Sequence, residues 1–289
     1  KTADGPINFA PPVMKVAGRV SHLHSIQGAD LDFLRSITNK TPKVTIPSQN
    51  MLRFRRARKA ISEESYPEME DFYSDVAKAY QEELRSLAAR GASYVQLDDT
   101  NLAYLCDPKM REGARQRGED PDALPRRYAQ LINAAIEGRP ADLRICVHLC
   151  RGNFKSAWVA EGGYELVAEI LFNELDVDGY FLEYDDDRSG DFAPLRHVPK
   201  NKTVVLGIVT TKLQEMETKD ELKQRIEEAA RYMPLGQMGL SPQRGFSSTV
   251  HGNNIAFGDR SGSGCIGLTL KDFPESQSRK IKMIKVSEV

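Results

Sequence analysis

Short apolar runs alternate along the chain with longer segments in which apolar residues recur every three or four positions. Residues 43–46, 93–99, 143–149, 179–184 and 203–209 are apolar runs of strand length, and 238–240 is a shorter one. Between them lie helical patterns. Met69, Phe72, Tyr73, Val76, Ala77, Tyr80, Leu84, Leu87 and Ala88 predict one long helix, capped by Ser62 or Ser65 and ended by Arg90-Gly91. Residues 123–137 predict another, stopped at Gly138-Arg-Pro140. Two more follow over 163–175 and 220–231, with Val167, Ile170 and Leu171 facing inward in the first and Leu222, Ile226 and Ala229 in the second. Residues 14–20 read as a short strand, 107–122 as a charged irregular stretch, and 1–12 as a Pro-rich arm.

Strand and helix alternate from residue 43 onward, which predicts an α/β fold on a parallel sheet. Polar side chains cluster just after the strands: Asp98 and Asp99, His148 and Cys150, Glu183, Thr210 to Lys212, and Gln243 with Arg244. A closed barrel and an open doubly wound sheet both put chemistry at that end. No glycine-rich turn follows the first strand, so dinucleotide binding has no support.

Composition narrows the classes. The 40 Lys and Arg nearly balance the 41 Asp and Glu, so nothing asks for nucleic acid or an anionic membrane. No apolar run approaches the ~18 residues of a membrane-spanning helix. The opening residues are not a signal peptide. Cys106, Cys146, Cys150 and Cys265 form no C-x-x-C pair, so thiols in a reducing, cytoplasmic setting are expected. The texture changes at Gly258, where Ser261-Gly-Ser-Gly264 is linker-like. The expected organisation is one domain over 1–257 and a poorly packed tail over 258–289.

The candidate chemistry sits on residues 143–150. Side chains in a strand alternate, so His148 and Cys150 point to the same side. An imidazole and a thiol together can hold Zn²⁺, although a buried Cys beside a satisfied His is the commoner arrangement. Glu183, on the next strand, would add an oxygen donor and leave a fourth position open, where a thiol binds as thiolate. Asp98 or Asp99 is a candidate catalytic acid that receives a substrate ammonium. The competing reading pairs Glu183 and Asp185 to Asp187 with Arg188 and Arg196 in a structural charge network. His22 and His24 read as loop histidines. Arg53, Arg55, Arg56, Arg58 and Lys59 read as a solvated face.

Six motifs carry a resemblance: Tyr94-Val-Gln-Leu-Asp-Asp-Thr100, Tyr104-Leu-Cys-Asp-Pro108, His148-Leu-Cys-Arg-Gly-Asn153, Phe181-Leu-Glu-Tyr-Asp185 with Arg188-Ser-Gly-Asp-Phe192, Leu206-Gly-Ile-Val-Thr-Thr-Lys212, and Leu240-Ser-Pro-Gln-Arg-Gly-Phe246. In this order they resemble the cobalamin-independent methionine synthase family, nearest its short single-barrel members. The resemblance implies an α/β fold of the (β/α)8 TIM-barrel type, incomplete here at the N-terminus. It implies methyl transfer from a methyl-folate donor to a thiol such as homocysteine, as in a 5-methyltetrahydropteroyltriglutamate-homocysteine S-methyltransferase, with Zn²⁺ as cofactor. His148, Cys150 and Glu183 fall on the family's metal ligands and Asp98 on the acid that holds the substrate amino group. Gln96, Ser241, Gln243 and Arg244 are expected to line the substrate.

The chain departs from the family in three places. Arg244 stands where the family has a fourth ligand, a cysteine, and a guanidinium cannot ligate. The family's first two strands have no counterpart, and sequence after Gly258 reads as unrelated. The expected partners are therefore a small thiol or amino acid and a folate. A second reading is a member without zinc, in which Arg244 pairs with Glu183 and the protein acts on or binds another small acid. A third is a partial barrel that completes itself as a homo-oligomer through open edges.

Overall fold

Six parallel strands stand side by side in chain order: β1 Val44–Pro47, β2 Tyr94–Asp98, β3 Arg144–Leu149, β4 Gly179–Glu183, β5 Thr203–Val209 and β6 Met238–Pro242. They belong to a computed structural model that describes residues 14–52, 57–213, 217–243 and 245. The helices are α1 Gly28–Ile37, α2 Met69–Ala89, α3 Asn101–Tyr104, α4 Pro108–Gln116, α5 Leu124–Ile136, α6 Ala168–Asn173 and α7 Lys219–Ala229. The fold is α/β and barrel-type. Among the described residues β1 and β6 each pair on one side only, so the sheet does not close.

Alternation gives the sheet two chemically distinct faces. Val44, Ile46, Val95, Leu97, Ile145, Val147, Leu149, Leu182, Val204 and Leu206 point outward and pack under the helices in one continuous core. Burying each such side chain is worth ~1.5–3 kcal/mol. On the inner face Cys146, Phe181 and Val205 form a small apolar floor with Tyr94 against it. Polar residues stand toward the strands' C-terminal ends. The register ranks them in layers: Pro47, Asp98, His148, Phe181, Val205 and Gly239 lie in one row, and Glu183, Gly207 and Ser241 in another.

Element ends differ from expectation in places. The start of α2 is Glu68 rather than a serine, while Ser62 Oγ accepts the Ser65 N–H at 3.3 Å in the turn before it. The predicted stop holds, with Gly91 at φ 88°. Residues 107–122 are not irregular: Asp107 caps α4, accepting from the Lys109 N–H at 2.7 Å, and Pro108 fills the first turn. The 163–175 segment divides into a 3₁₀ turn at Tyr164–Leu166 and α6. Residues 14–20 hold only one bridged pair, Val16 with Ile61. α7 opens with a reciprocal capping box between Thr218 and Glu221.

His22 is tied down rather than loose in a loop. Its Nε2 lies 2.7 Å from Glu83 Oε2, and the same carboxylate accepts the backbone N–H groups of Ile26 and Gln27 and the Ser25 hydroxyl. His24 is exposed. Arg58 donates to the carbonyls of Tyr66 and Pro67. The expectations for residues 1–12, for Arg53, Arg55, Arg56, Arg244 and Cys265, and for the tail lie outside the described residues. Among the described residues no helix is long and apolar enough to cross a membrane.

Candidate functional site

Asp98 and His148 are register partners at the ends of adjacent strands, and both face inward. Asp98 is half-buried, and Gln96 Nε2 donates to its Oδ1 at 2.8 Å. Among the described residues no Lys, Arg or His forms an ion pair with it. Asp99, one residue on, points the other way and is fully buried. Its Oδ2 accepts from Ser48 Oγ at 2.5 Å and Asn50 Nδ2 at 2.7 Å, and its Oδ1 from the N–H groups of Asn101 and Leu102. Complete burial raises its pKa, and these four donors only partly oppose that. Asp99 thus holds the turn into α3, with no lone pair turned to the inner face. The two neighbouring acids have different duties.

Glu183 ends β4 and has no exposed surface. Lys212 Nζ sits 3.1 Å from its Oε1, and Arg188 Nη1 3.5 Å from the same atom. Its Oε2 accepts from the Arg151 backbone N–H at 2.8 Å and from Gln243 Nε2 at 2.7 Å. The Gln243 amide is itself oriented by Thr211, whose Oγ1 donates to its Oε1 at 3.0 Å. Gly207 permits this approach: a Cβ there would lie 2.9 Å from the Gln243 Cα. Burial alone would push the Glu183 carboxyl up, but the charges of Lys212 and Arg151, the Arg151 N–H and the charge of Arg188 outweigh it and bring it down to about 2.

Asp185 shares Lys212, at 3.5 Å. Burial pushes its carboxyl up to about 6; Lys212 pulls against this, and Glu183 and Asp186 add to it. Arg188 pairs with Asp186 and stacks 4.3 Å over the Trp158 ring. The expected charge network therefore exists around Arg188. Arg196 is not part of it and pairs with Glu165 instead.

Below the network lies Arg151, whose guanidinium is entirely enclosed. It donates to the carbonyls of Gly162, Glu183 and Ser189 and to the Tyr164 hydroxyl, and stacks 4.4 Å over the Tyr164 ring. Gly162 is required here, at φ 124°, because a Cβ would come within 2.3 Å of the Cys106 carbonyl. Neither Arg151 nor the pairing of Lys212 was expected from the sequence.

The residues do not assemble a metal site as they stand. Among the described residues no three of His, Cys, Asp and Glu converge as a ligand set. Both Glu183 oxygens are occupied, one by an ammonium group, which cannot share that lone pair with a dication. His148 and Cys150 are buried on the inner face, but Glu183 lies a row beyond His148. Burial pushes the Cys106 thiol up to about 12 and the Cys146 thiol up to about 11, so neither is an activated thiolate.

Comparisons with known proteins fit this architecture. A family model described as "Cobalamin-independent synthase, Catalytic domain" matches residues 36–255. The chain is 46% identical over 243 residues to uncharacterized protein YxjH of Bacillus subtilis (strain 168), covering 83% of this chain and 63% of that protein. It is 28% identical over 182 residues to a methionine synthase of Pyrococcus abyssi (strain GE5 / Orsay), covering 63% of this chain and 45% of that protein. A crystal structure from Listeria monocytogenes, titled "Putative Vitamin-B12 Independent Methionine Synthase", superposes with a TM-score of 0.66 at 35% identity, covering 81% of this chain and 67% of the other. The chain thus spans less than two thirds of the length of these curated relatives.

Proposed function

Because the chain belongs to the cobalamin-independent synthase catalytic-domain family, we propose that its inner face serves methyl transfer to the thiol of a homocysteine-like amino acid from a methyl-folate-type donor. The observation that carries this reading is the pairing of Asp98 with His148 in one inward-facing row at the strands' C-terminal ends. Asp98 receives the substrate ammonium in a charge-assisted hydrogen bond. That contact sets the thiol over the row containing His148, with Cys150, Ser241 and Gln243 toward the rim. A thiol becomes nucleophilic on losing its proton, and a neutral imidazole at His148 is the group of this row able to take it. The sulfur gains the methyl group, the bond from methyl to donor nitrogen breaks, and that nitrogen takes up a proton.

The test is production of methionine from L-homocysteine and a methyltetrahydrofolate polyglutamate, followed by mass spectrometry with and without added Zn²⁺. Product from the parent and none from His148→Ala or Asp98→Asn is expected. Absence of product under both conditions, with no binding of L-homocysteine, sinks the reading.

A second reading is favoured by one observation, the Lys212 ammonium on Glu183. A lysine there neutralises the carboxylate that a metal would otherwise need, so a member that works without zinc is consistent with this chain. Metal content of the purified protein, read by plasma mass spectrometry, separates the two. Stoichiometric zinc would displace the second reading.

A further inference from the structure

A hydrogen-bonded chain runs up the inner face from the bottom of β1 to the candidate substrate acid. Lys43 immediately precedes β1, and its Nζ lies 3.0 Å from Gln96 Oε1 and 4.8 Å from the Phe181 ring centroid. Gln96, two residues before Asp98 and therefore on the same face, is buried, and its Nε2 donates to Asp98 Oδ1 at 2.8 Å.

The two ends of a carboxamide have nearly the same shape, so packing alone does not decide which way Gln96 points. Its neighbours decide. An ammonium group has donors only, and it demands the amide oxygen. A carboxylate has acceptors only, and it demands the amide nitrogen. Lys43 and Asp98 impose the same orientation from opposite ends. With the amide reversed, NH₂ would face ammonium and oxygen would face carboxylate, and both contacts would turn repulsive. Burial lowers the Lys43 pKa, and Asp98 pulls it back up, so the cation and the acid support each other across the amide.

We propose that Lys43 is a positioning residue for substrate: through Gln96 it fixes the Asp98 carboxylate by one oxygen and leaves the other to receive the ammonium group of an α-amino acid. The proposal rests on the reading above that Asp98 takes the substrate amino group. It explains why Asp98, unlike Glu183, has no cation of its own among the described residues.

The experiment is calorimetric titration with two probes, L-homocysteine and 4-sulfanylbutanoate, which lacks the amino group, on the parent, Lys43→Met, Lys43→Arg and Asp98→Asn. The parent should prefer L-homocysteine. In Lys43→Met that preference should fall by about tenfold, the size of one charge-assisted hydrogen bond weakened, while binding of 4-sulfanylbutanoate stays near the parent value. Lys43→Arg, which keeps the donor, should restore the preference. Equal weakening of both probes in Lys43→Met, or no change in either, overturns the proposal. If Asp98→Asn leaves the preference intact, the reading of Asp98 itself is wrong. If Asp98→Asn removes the preference and Lys43→Met does not, only the role of Lys43 fails.

A ligand-free readout accompanies this. The side-chain amide protons of Gln96, followed by ¹⁵N NMR, should exchange with water faster in Lys43→Met than in the parent. Unchanged exchange in a folded variant would show that Lys43 does not hold the amide.

Discussion

Lys212 lies beyond the end of β5 and sets its ammonium 3.1 Å from Oε1 of Glu183 at the end of β4, with the two side chains 3% and 0% exposed. The pair is shielded from water, so each charge depends on the other. Lys212→Met should lower stability by about 3 kcal/mol, because it removes the nearest cation from buried Glu183 and the cation that Asp185 shares. Lys212→Met combined with Glu183→Leu should recover part of that loss, limited by the Arg151 N–H and the Gln243 amide that lose their acceptor. Urea unfolding midpoints of the parent, single and double variants check this. A double variant no more stable than the single one contradicts it.

The same pair bears on zinc. Arg244→Cys restores the thiolate that the resembling family carries at this position, so the variant should retain more zinc after gel filtration than the parent. Equal metal content in the two proteins would show that a fourth ligand is not what limits the site. Adding Lys212→Met to Arg244→Cys should raise retention further by freeing Glu183 Oε1.

Arg151 predicts a stability defect with no direct chemical role. Its guanidinium serves four different acceptors, and an ammonium has three donors on one atom and cannot span them. Arg151→Lys should therefore cost ~2 kcal/mol or more, and Arg151→Met more still, through carbonyls left without donors. Thermal unfolding would register this as a clear drop in Tm. An unchanged Tm in Arg151→Lys argues against the anchoring role.

The Glu83 clasp predicts a pH dependence. Burial would raise the Glu83 carboxyl, but the hydrogen bonds from His22, Gln27, Ile26 and Ser25 outweigh it, and its pKa is lowered. A carboxylate with a lowered folded pKa contributes stability that is present above its unfolded value, about 4.3, and is lost as pH falls through the folded value. Parent stability should therefore decline below about pH 5 more steeply than that of Glu83→Gln. Parallel curves for the two proteins over that window would contradict the assignment.

Much of the sheet was legible because buried parallel strands are short, apolar and regularly punctuated. Residues 93–99, 143–149 and 203–209 fall on β2, β3 and β5 within a residue or two. Alternation likewise placed His148 on the face that Asp98 shares. α4 was hidden by its charge, although Asp107-Pro108 is a helix start that composition does not mask. The serine caps proposed for α2 failed because the turn at Ser62 and Ser65 is a separate structure, and the helix begins later at Met69, with Glu68 at its N-cap position. The site was legible as residue types and not as partners. Which cation faces Glu183 depends on how two strand ends and the loop after β5 meet in space, and spacing along the chain does not encode that.

The sequence-ordered sheet also governs how this protein comes together. Among the described residues each strand pairs only with its neighbours along the chain, so none of these pairings must wait for a distant segment to arrive. The closure entropy of each step is that of a single crossover, and it rises only slowly with crossover length. Assembly can start at any adjacent pair and spread in both directions. Among the described strands the β3–β4 pair that carries His148 and Glu183 is flanked on both sides, so its amide protons should exchange more slowly than those of β1 and β6.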